Sequence, residues 1–426
     1  MKFKFLAIIV ALLISSQNSF AEPKVTNLSE LTDSIGLDHE EELTSILEAN
    51  VEEMHSSQEP LMHWNLSQKG YSFTFGGFIN LRSSYDFNGS IDCADFIPSM
   101  IPSSTEEQIM KRTFMDASTS RLYFNALIET KQLGLINLFI ESDFRGGSYG
   151  SYTPRIRLAY MTFLGVTAGR AHTTFSDLSS MPYSVDFAGP NSCAFGFVTM
   201  LRYEHKFMED RLKLAVALES PSVSATYNNN FNEVPQLTPD IPAYAQYNWG
   251  ADNLNHIRVS GVYKAMSVKN KVTNDTDILS GWGTQLSGNI GLTPFMRVMF
   301  SGTYGEGISN YIVDLIGLGL DFMPNPDNPS EISLTPMYGY QLSTQININP
   351  KLWLSAGYSY VNNQPAYDDL DHLDNYKSGT YIFGNCFYSI TSRLQIAGEY
   401  IYGSRKSQDL STNSANRVVA MLQFTF

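Results

Sequence analysis

The chain has 426 residues, of which 43% are hydrophobic, 13% aromatic and 16% charged, with a formal net charge of −14 and three cysteines. That is too aromatic for a disordered chain, too poor in cysteine for a disulfide-built secreted scaffold, and too acidic for a nucleic-acid binder. A mean hydropathy of −0.15 and the lack of a long apolar run in the body exclude a bundle of membrane helices, leaving a large β protein or a chain whose membrane face is hidden in alternation.

Lys2 and Lys4 precede an apolar run from Phe5 to Ile14, and Ser19-Phe20-Ala21 gives a small-x-small pattern before Glu22. This predicts a signal peptide over residues 1–21 and export from the cytoplasm. Residues 22–59 hold eleven acids and one lysine, a net of −10. Leu28, Leu31 and Ile35 fall at helical spacing, as do Leu43, Ile46, Leu47 and Val51 after a break at Gly36. Residues 22–69 therefore read as an acidic, partly helical periplasmic segment. Two readings stand: a short coiled coil that joins protomers, or a solvated tail too charged to fold alone.

From Tyr71 the period becomes two. Tyr71, Phe73, Phe75, Ile79, Leu81, Tyr85 and Phe87 share one face, and Ser72, Thr74, Asn80, Arg82, Ser84 and Asp86 the other. Leu212, Leu214, Val216 and Leu218 repeat the pattern, as do Leu394, Ile396, Tyr400 and Tyr402, then Val418, Ala420, Leu422, Phe424 and the terminal Phe426. Strands are predicted at 70–87, 119–130, 133–145, 155–164, 166–171, 197–207, 211–220, 241–249, 254–266, 278–290, 294–304, 337–349, 351–361, 377–389, 391–402 and 415–426, sixteen in all. Their linkers alternate: long at 88–118, 146–154, 172–196, 221–240, 267–277, 305–336, 362–376 and 403–414, and short between. An even strand count with long loops on one side and tight turns on the other predicts an all-β fold, a transmembrane antiparallel barrel over 70–426 in the bacterial outer membrane. Closure leaves no edge strand, so every backbone amide and carbonyl finds a partner in hydrocarbon.

Sixteen strands leave an aqueous lumen. Alternation puts Arg82, Arg121, Arg155, Arg157, Arg202, Arg258, Arg297 and Arg393 off the lipid face, where mid-depth arginine costs roughly 2–4 kcal/mol. The third long loop carries Asp177 and Asp186 and begins beside Arg170. Acids facing a wall of arginine make a constriction with a transverse field, which sets ion preference. Lumenal arginine also grips carboxylates with two hydrogen bonds. The competing reading is that the arginines pair with Glu129, Glu141 and Glu399 and stiffen the wall.

Several runs carry a family resemblance. Arg155-Ile-Arg157-Leu-Ala-Tyr160, Gly169-Arg-Ala-His-Thr-Thr-Phe175-Ser-Asp177 and Val185-Asp-Phe-Ala-Gly-Pro190 resemble the DcaP-like outer-membrane porins. So do Gly77-Phe-Ile-Asn-Leu81, Ser120-Arg121-Leu122 and Ile140-Glu-Ser-Asp-Phe144. The resemblance covers about 70–205 well and the rest only by architecture; His172 stands where the family usually carries an aromatic. It implies a trimeric sixteen-stranded channel for small, often carboxylate-bearing solutes, with Arg155, Arg157, Arg170, Asp177 and Asp186 at the pore and constriction.

Cys93 and Cys193 fall in the first and third long loops, open either to a disulfide or to two unpaired thiols. Asp368, Asp369, Asp371, His372 and Asp374 form an acidic loop, either solvated or cation-binding. The seven histidines are dispersed, so no metal site is expected, and no cofactor or catalytic residue is. The leading expectation is a non-enzymatic porin for passive diffusion of small hydrophilic solutes, favouring anions, set in outer-membrane lipid as a homotrimer with no nucleic-acid partner. The pore and constriction set is Arg82, Arg121, Arg155, Arg157, Arg170, Asp177, Asp186, Arg202 and Arg297. The alternative is an adhesin that binds surface ligands through its long loops, 88–118 and 305–336. A barrel enzyme using His172 and Ser176 is the least favoured, because both read as loop.

Overall fold

The computed structural model describes residues 62–66, 70–89, 91, 94–103, 108–148, 150–250, 254–325, 327–365 and 374–426. The predicted signal peptide, the helical repeats before Met62, Cys93 and the acidic loop up to residue 373 lie outside the described residues. Sixteen wall strands follow one another in chain order: β1 (Tyr71–Asn88), β2 (Arg112–Asp116 and Arg121–Thr130), β3 (Gly134–Asp143), β4 (Arg155–Phe163), β5 (Val166–His172), β6 (Phe197–Phe207), β7 (Leu212–Glu219) and β8 (Ile241–Trp249). The second half is β9 (Asn255–Asn270), β10 (Thr276–Thr293), β11 (Met296–Glu306), β12 (Pro336–Asn349), β13 (Leu352–Asn363), β14 (Tyr376–Ser389), β15 (Leu394–Ser407) and β16 (Thr412–Thr425).

Each strand pairs antiparallel with the next, and β16 returns to β1, from Phe78↔Thr425 to Asn88↔Asn416. The ring is therefore closed. Below the C-terminus, strand Met62–Leu66 takes over the same edge of β1, pairing Met62 with Phe75 and Leu66 with Tyr71. Within the segment 22–69, this strand was not foreseen. Phe426 completes the seam through reciprocal backbone bonds with Gly77, both at 2.9 Å.

Alternation decides which side chains face out. Along β1, Ile79 and Leu81 are 55% and 39% exposed, while Asn80 and Arg82 between them are each 5% exposed. The outward face carries two aromatic belts. One includes Tyr71, Phe73 and Phe124 near the short turns; the other holds Tyr338, Tyr340, Tyr358 and Tyr360 toward the long loops. The tight turn Leu164-Gly165 has φ of +48° and +78°, the left-handed pair that a two-residue hairpin requires.

Two predicted outer loops, 267–277 and 403–414, are mostly strand. β9 and β10 run on to a turn at 271–275, and β15 and β16 to one at 408–411. The described residues of the outer loops at 89–111, 173–196 and 307–335 turn inward. The first and third pack on the inner wall of β14–β16, where Phe96, Ile101 and Val185 join Tyr381, Phe383, Phe387 and Ile401 in one buried cluster. The sixth loop, 307–335, packs Phe322 against Phe231 of the fourth loop (220–240) and Met266 and Val268 of β9. Beneath it, Lys264 and Asp321 form an ion pair at 3.2 Å, fully buried on both sides.

Candidate functional site

The third outer loop, 173–196, is tied along the interior of the ring. At its start, Thr173 Oγ1 and the Thr174 amide both donate to Glu219 of β7, each at 2.6 Å. Asp177 Oδ2 meets His256 Nε2 at 2.8 Å and accepts from Ser287 Oγ at 2.6 Å. Arg258 Nη1 donates to the Ser176 carbonyl at 2.7 Å, and its Nε lies 4.0 Å from Asp177 Oδ1. Burial pushes the Asp177 carboxyl up, but Arg258, His256 and Ser287 outweigh it and hold it well below the usual carboxylate range. Asn289 of β10 and Gln341 of β12 donate to the Ser179 and Ser180 carbonyls. Glu399 of β15 then accepts from Ser184 Oγ and from the Val185 and Asp186 amides at 2.8–3.0 Å. Asp186 itself accepts from the Phe96 amide of the first loop at 3.0 Å and from Tyr381 Oη at 3.2 Å.

The arginines gather on the other side. Arg82 pairs with Asp116 at 3.0 Å and lies 3.6 Å from Asp95 of the first loop, which also receives Arg145. Arg121 is 3.7 Å from Glu141, Arg157 is 2.8 Å from Glu141 and 3.7 Å from Asp143, and Arg155 pairs with Asp143. A register shift between Glu141 and Ser142 of β3, opposite Ile156–Leu158 of β4, is a bulge that brings Arg157 inward beside Arg155. Arg155, Arg157 and Arg170 all lie over the ring of Phe197, at 5.9, 4.9 and 5.7 Å. Arg202 of β6 makes a long hydrogen bond to Thr167, at 3.4 Å. Among the described residues, seven arginines (82, 121, 145, 155, 157, 170 and 202) thus meet four ion-paired carboxylates (Asp95, Asp116, Glu141 and Asp143), with Glu219 near Arg202 and Asp186 near Arg82, which leaves the arginines in excess. Arg297 stands apart on β11, bonded to Asn289 and the Leu254 carbonyl under the tip of the third loop.

The expectations for Asp177, Asp186 and Glu399 change. Asp177 and Asp186 do not present free carboxylates to the arginine wall: they are 2% and 4% exposed and serve as anchors of the loop. Glu399 is not an arginine partner but the acceptor for that loop, and Glu129 is exposed on β2 near its turn. Of the expected acid partners, Glu141 does pair, while Asp95, Asp116 and Asp143 were not foreseen. Arg145 and Asp95 lie in loops, where no periodicity marks them. Asp143 and His256 share the inward parity of their strands and were visible on that ground. Phe187 was quoted only as part of a motif; it is the side chain that the third loop sets against the arginines. Cys193 is a buried free thiol, which burial pushes up to about 12.

The sequence profile of the DcaP outer membrane proteins matches residues 25–424. The chain belongs to this family. As a DcaP family member it is a protein of the bacterial outer membrane. The crystal structure of the outer membrane channel DcaP of Acinetobacter baumannii superposes with a TM-score of 0.73 at 18% identity, over 86% of this chain and 100% of that one. The in-vitro folded OmpT of Vibrio cholerae gives 0.53 at 13% identity, over 85% of this chain and 99% of that one. OprB of Pseudomonas putida gives 0.52 at 12% identity, over 85% and 95%. A comparison with curated protein sequences gives no match. The closed sixteen-strand ring is thus a channel fold shared with outer-membrane porins.

Proposed function

We propose that this DcaP family member is a passive, non-enzymatic channel for small hydrophilic solutes, with a preference for anions set where the third loop meets the arginine wall. The observation that carries the preference is the arginine excess: guanidiniums on β1, β2, β4, β5 and β6 that outnumber the carboxylates beside them among the described residues. Fixed positive charge beside a narrowed lumen raises the local anion concentration. Arg82, Arg121, Arg155, Arg157, Arg170 and Arg202 line that site. Asp177 and Asp186 shape it by holding the loop, and Arg297 steadies the loop tip through Asn289. A trimeric form of OmpT among the fold relatives supports assembly as a homotrimer. The adhesin reading draws less support, since Phe96, Ile101 and Phe322 of its candidate loops are buried in the barrel mouth.

Reversal potential in planar bilayers, across a tenfold KCl gradient, tests this. The wild type is expected to select chloride. Among the described residues, Arg170 and Arg202 make no ion pair, so Arg170→Ala with Arg202→Ala breaks none and is expected to cut the permeability ratio toward one. Cation selectivity that neither this pair nor Arg155→Ala with Arg157→Ala alters overturns the anion preference. Folded protein that never conducts overturns the channel.

A further inference from the structure

The ring of Phe187 has three guanidiniums around it. The guanidinium carbons of Arg145, Arg157 and Arg121 lie 4.6, 5.3 and 5.6 Å from its centroid. They come from three separate places: the loop after β3, the bulge of β4, and β2. The backbone beside the ring is anchored, because the preceding residue is held by both its amide and its carboxylate, to Glu399 and the Phe96 amide. Phe187 is half-buried. It also lines a cavity of about 390 Å³ shared with Ile97 and Met100 of the first loop, Met181 and Phe195 of its own loop, and Leu318 of the sixth.

An aromatic face carries partial negative charge and attracts cations without being an ion itself. Three cations converging on a neutral ring are stabilised there while the ring covers them. We propose that Phe187 is the specificity-determining residue of this channel: an aromatic lid over the arginine cluster that narrows the passage and screens the cluster's charge from passing ions. The inference rests on the channel reading above. Removing the ring both widens the passage and bares the guanidiniums. A leucine keeps apolar bulk but has no π-face; a tyrosine keeps both.

The test compares wild type with Phe187→Ala, Phe187→Leu and Phe187→Tyr, each first shown to be folded by heat-modifiable migration on a gel. Single-channel conductance and reversal potential in a tenfold KCl gradient are then read for each. Phe187→Ala is expected to raise both conductance and the chloride-to-potassium permeability ratio, each by about twofold. Phe187→Leu is expected to raise the permeability ratio with little change in conductance, and Phe187→Tyr to behave as wild type. Alanine and leucine variants that conduct and select as wild type does overturn the proposal. A conductance change with no change in permeability ratio overturns the screening. A folded wild type that passes no current fails the channel reading, not the role of Phe187.

Discussion

Asp186 shows how a single buried side chain makes the loop pH-sensitive. Burial, with Asp95 and Glu399 beside it, pushes its carboxyl up to about 7; the Phe96 amide and Arg82 pull the other way. Tyr381 of β14 also faces it, as a hydrogen-bond donor. In the unfolded chain an aspartate ionises near pH 4, at about 3.9. Between about pH 4 and pH 7 the folded state therefore keeps a proton that the unfolded state has lost. The stability this group contributes is fully present below pH 4 and is lost as pH rises through 7. The thermal midpoint of the wild type is expected to fall between pH 5 and pH 8 by more than that of Asp186→Asn. The asparagine is neutral throughout, and its side-chain oxygen can still accept from Phe96. Equal pH slopes in the two proteins overturn the assignment. Position 186 was legible as an acid in a loop; its role was not, because its neighbours come from the first loop and from β14 and β15, at least 90 residues away in either direction.

At the scale of the element, periodicity reported the wall wherever one face is apolar, and failed where it is not. The outer ends of β9, β10 and β15 read as loop because Lys269, Asn270, Asp277, Arg405 and Lys406 break the alternation. Those residues still pair in register, Lys269 with Thr276 and Arg405 with Asn413; beyond the hydrocarbon an outward face has no need to be apolar. The first half of β2, Arg112–Asp116, was missed because a break at 117–120, closed by Ser120 Oγ on the Ala117 carbonyl at 2.8 Å, splits the strand. β5 is the shortest unbroken wall strand, with seven residues, and its pairing depends on Gly169. There φ is +132°, and an added Cβ would stand 2.3 Å from the Ala159 carbonyl oxygen and 2.7 Å from Tyr160 Cα on β4. Both atoms are backbone, so nothing nearby can yield cheaply. Gly169→Ala is expected to destabilise the barrel by about 1–3 kcal/mol, seen as a lower temperature for loss of the heat-modifiable form. An unchanged transition temperature would mean that β4 and β5 can separate at no cost.

At the scale of the whole molecule, an acidic chain carries a local run of arginines on one part of its wall. The net charge of −14 is dominated by the −10 of residues 22–59, while the wall gathers arginines on β1 to β6. If net charge governed transport, cations would be favoured; if the lining governs it, anions are. Screening separates the two, because exposed charge is felt over about 10 Å at 0.1 M salt but only about 3 Å at 1 M. Charge lining a narrowed passage acts on an ion at contact range, where even the shorter length does not remove it. Chloride preference is therefore expected to persist at a tenfold gradient reaching 1 M KCl, weaker than at 0.1 M but of the same sign. A preference that reverses to potassium at low salt, where distant acidic charge is least screened, would place control in the chain's overall charge. That outcome would leave the sixteen-strand ring untouched, since its closure rests on backbone pairing, and would remove the arginine wall as the origin of selectivity.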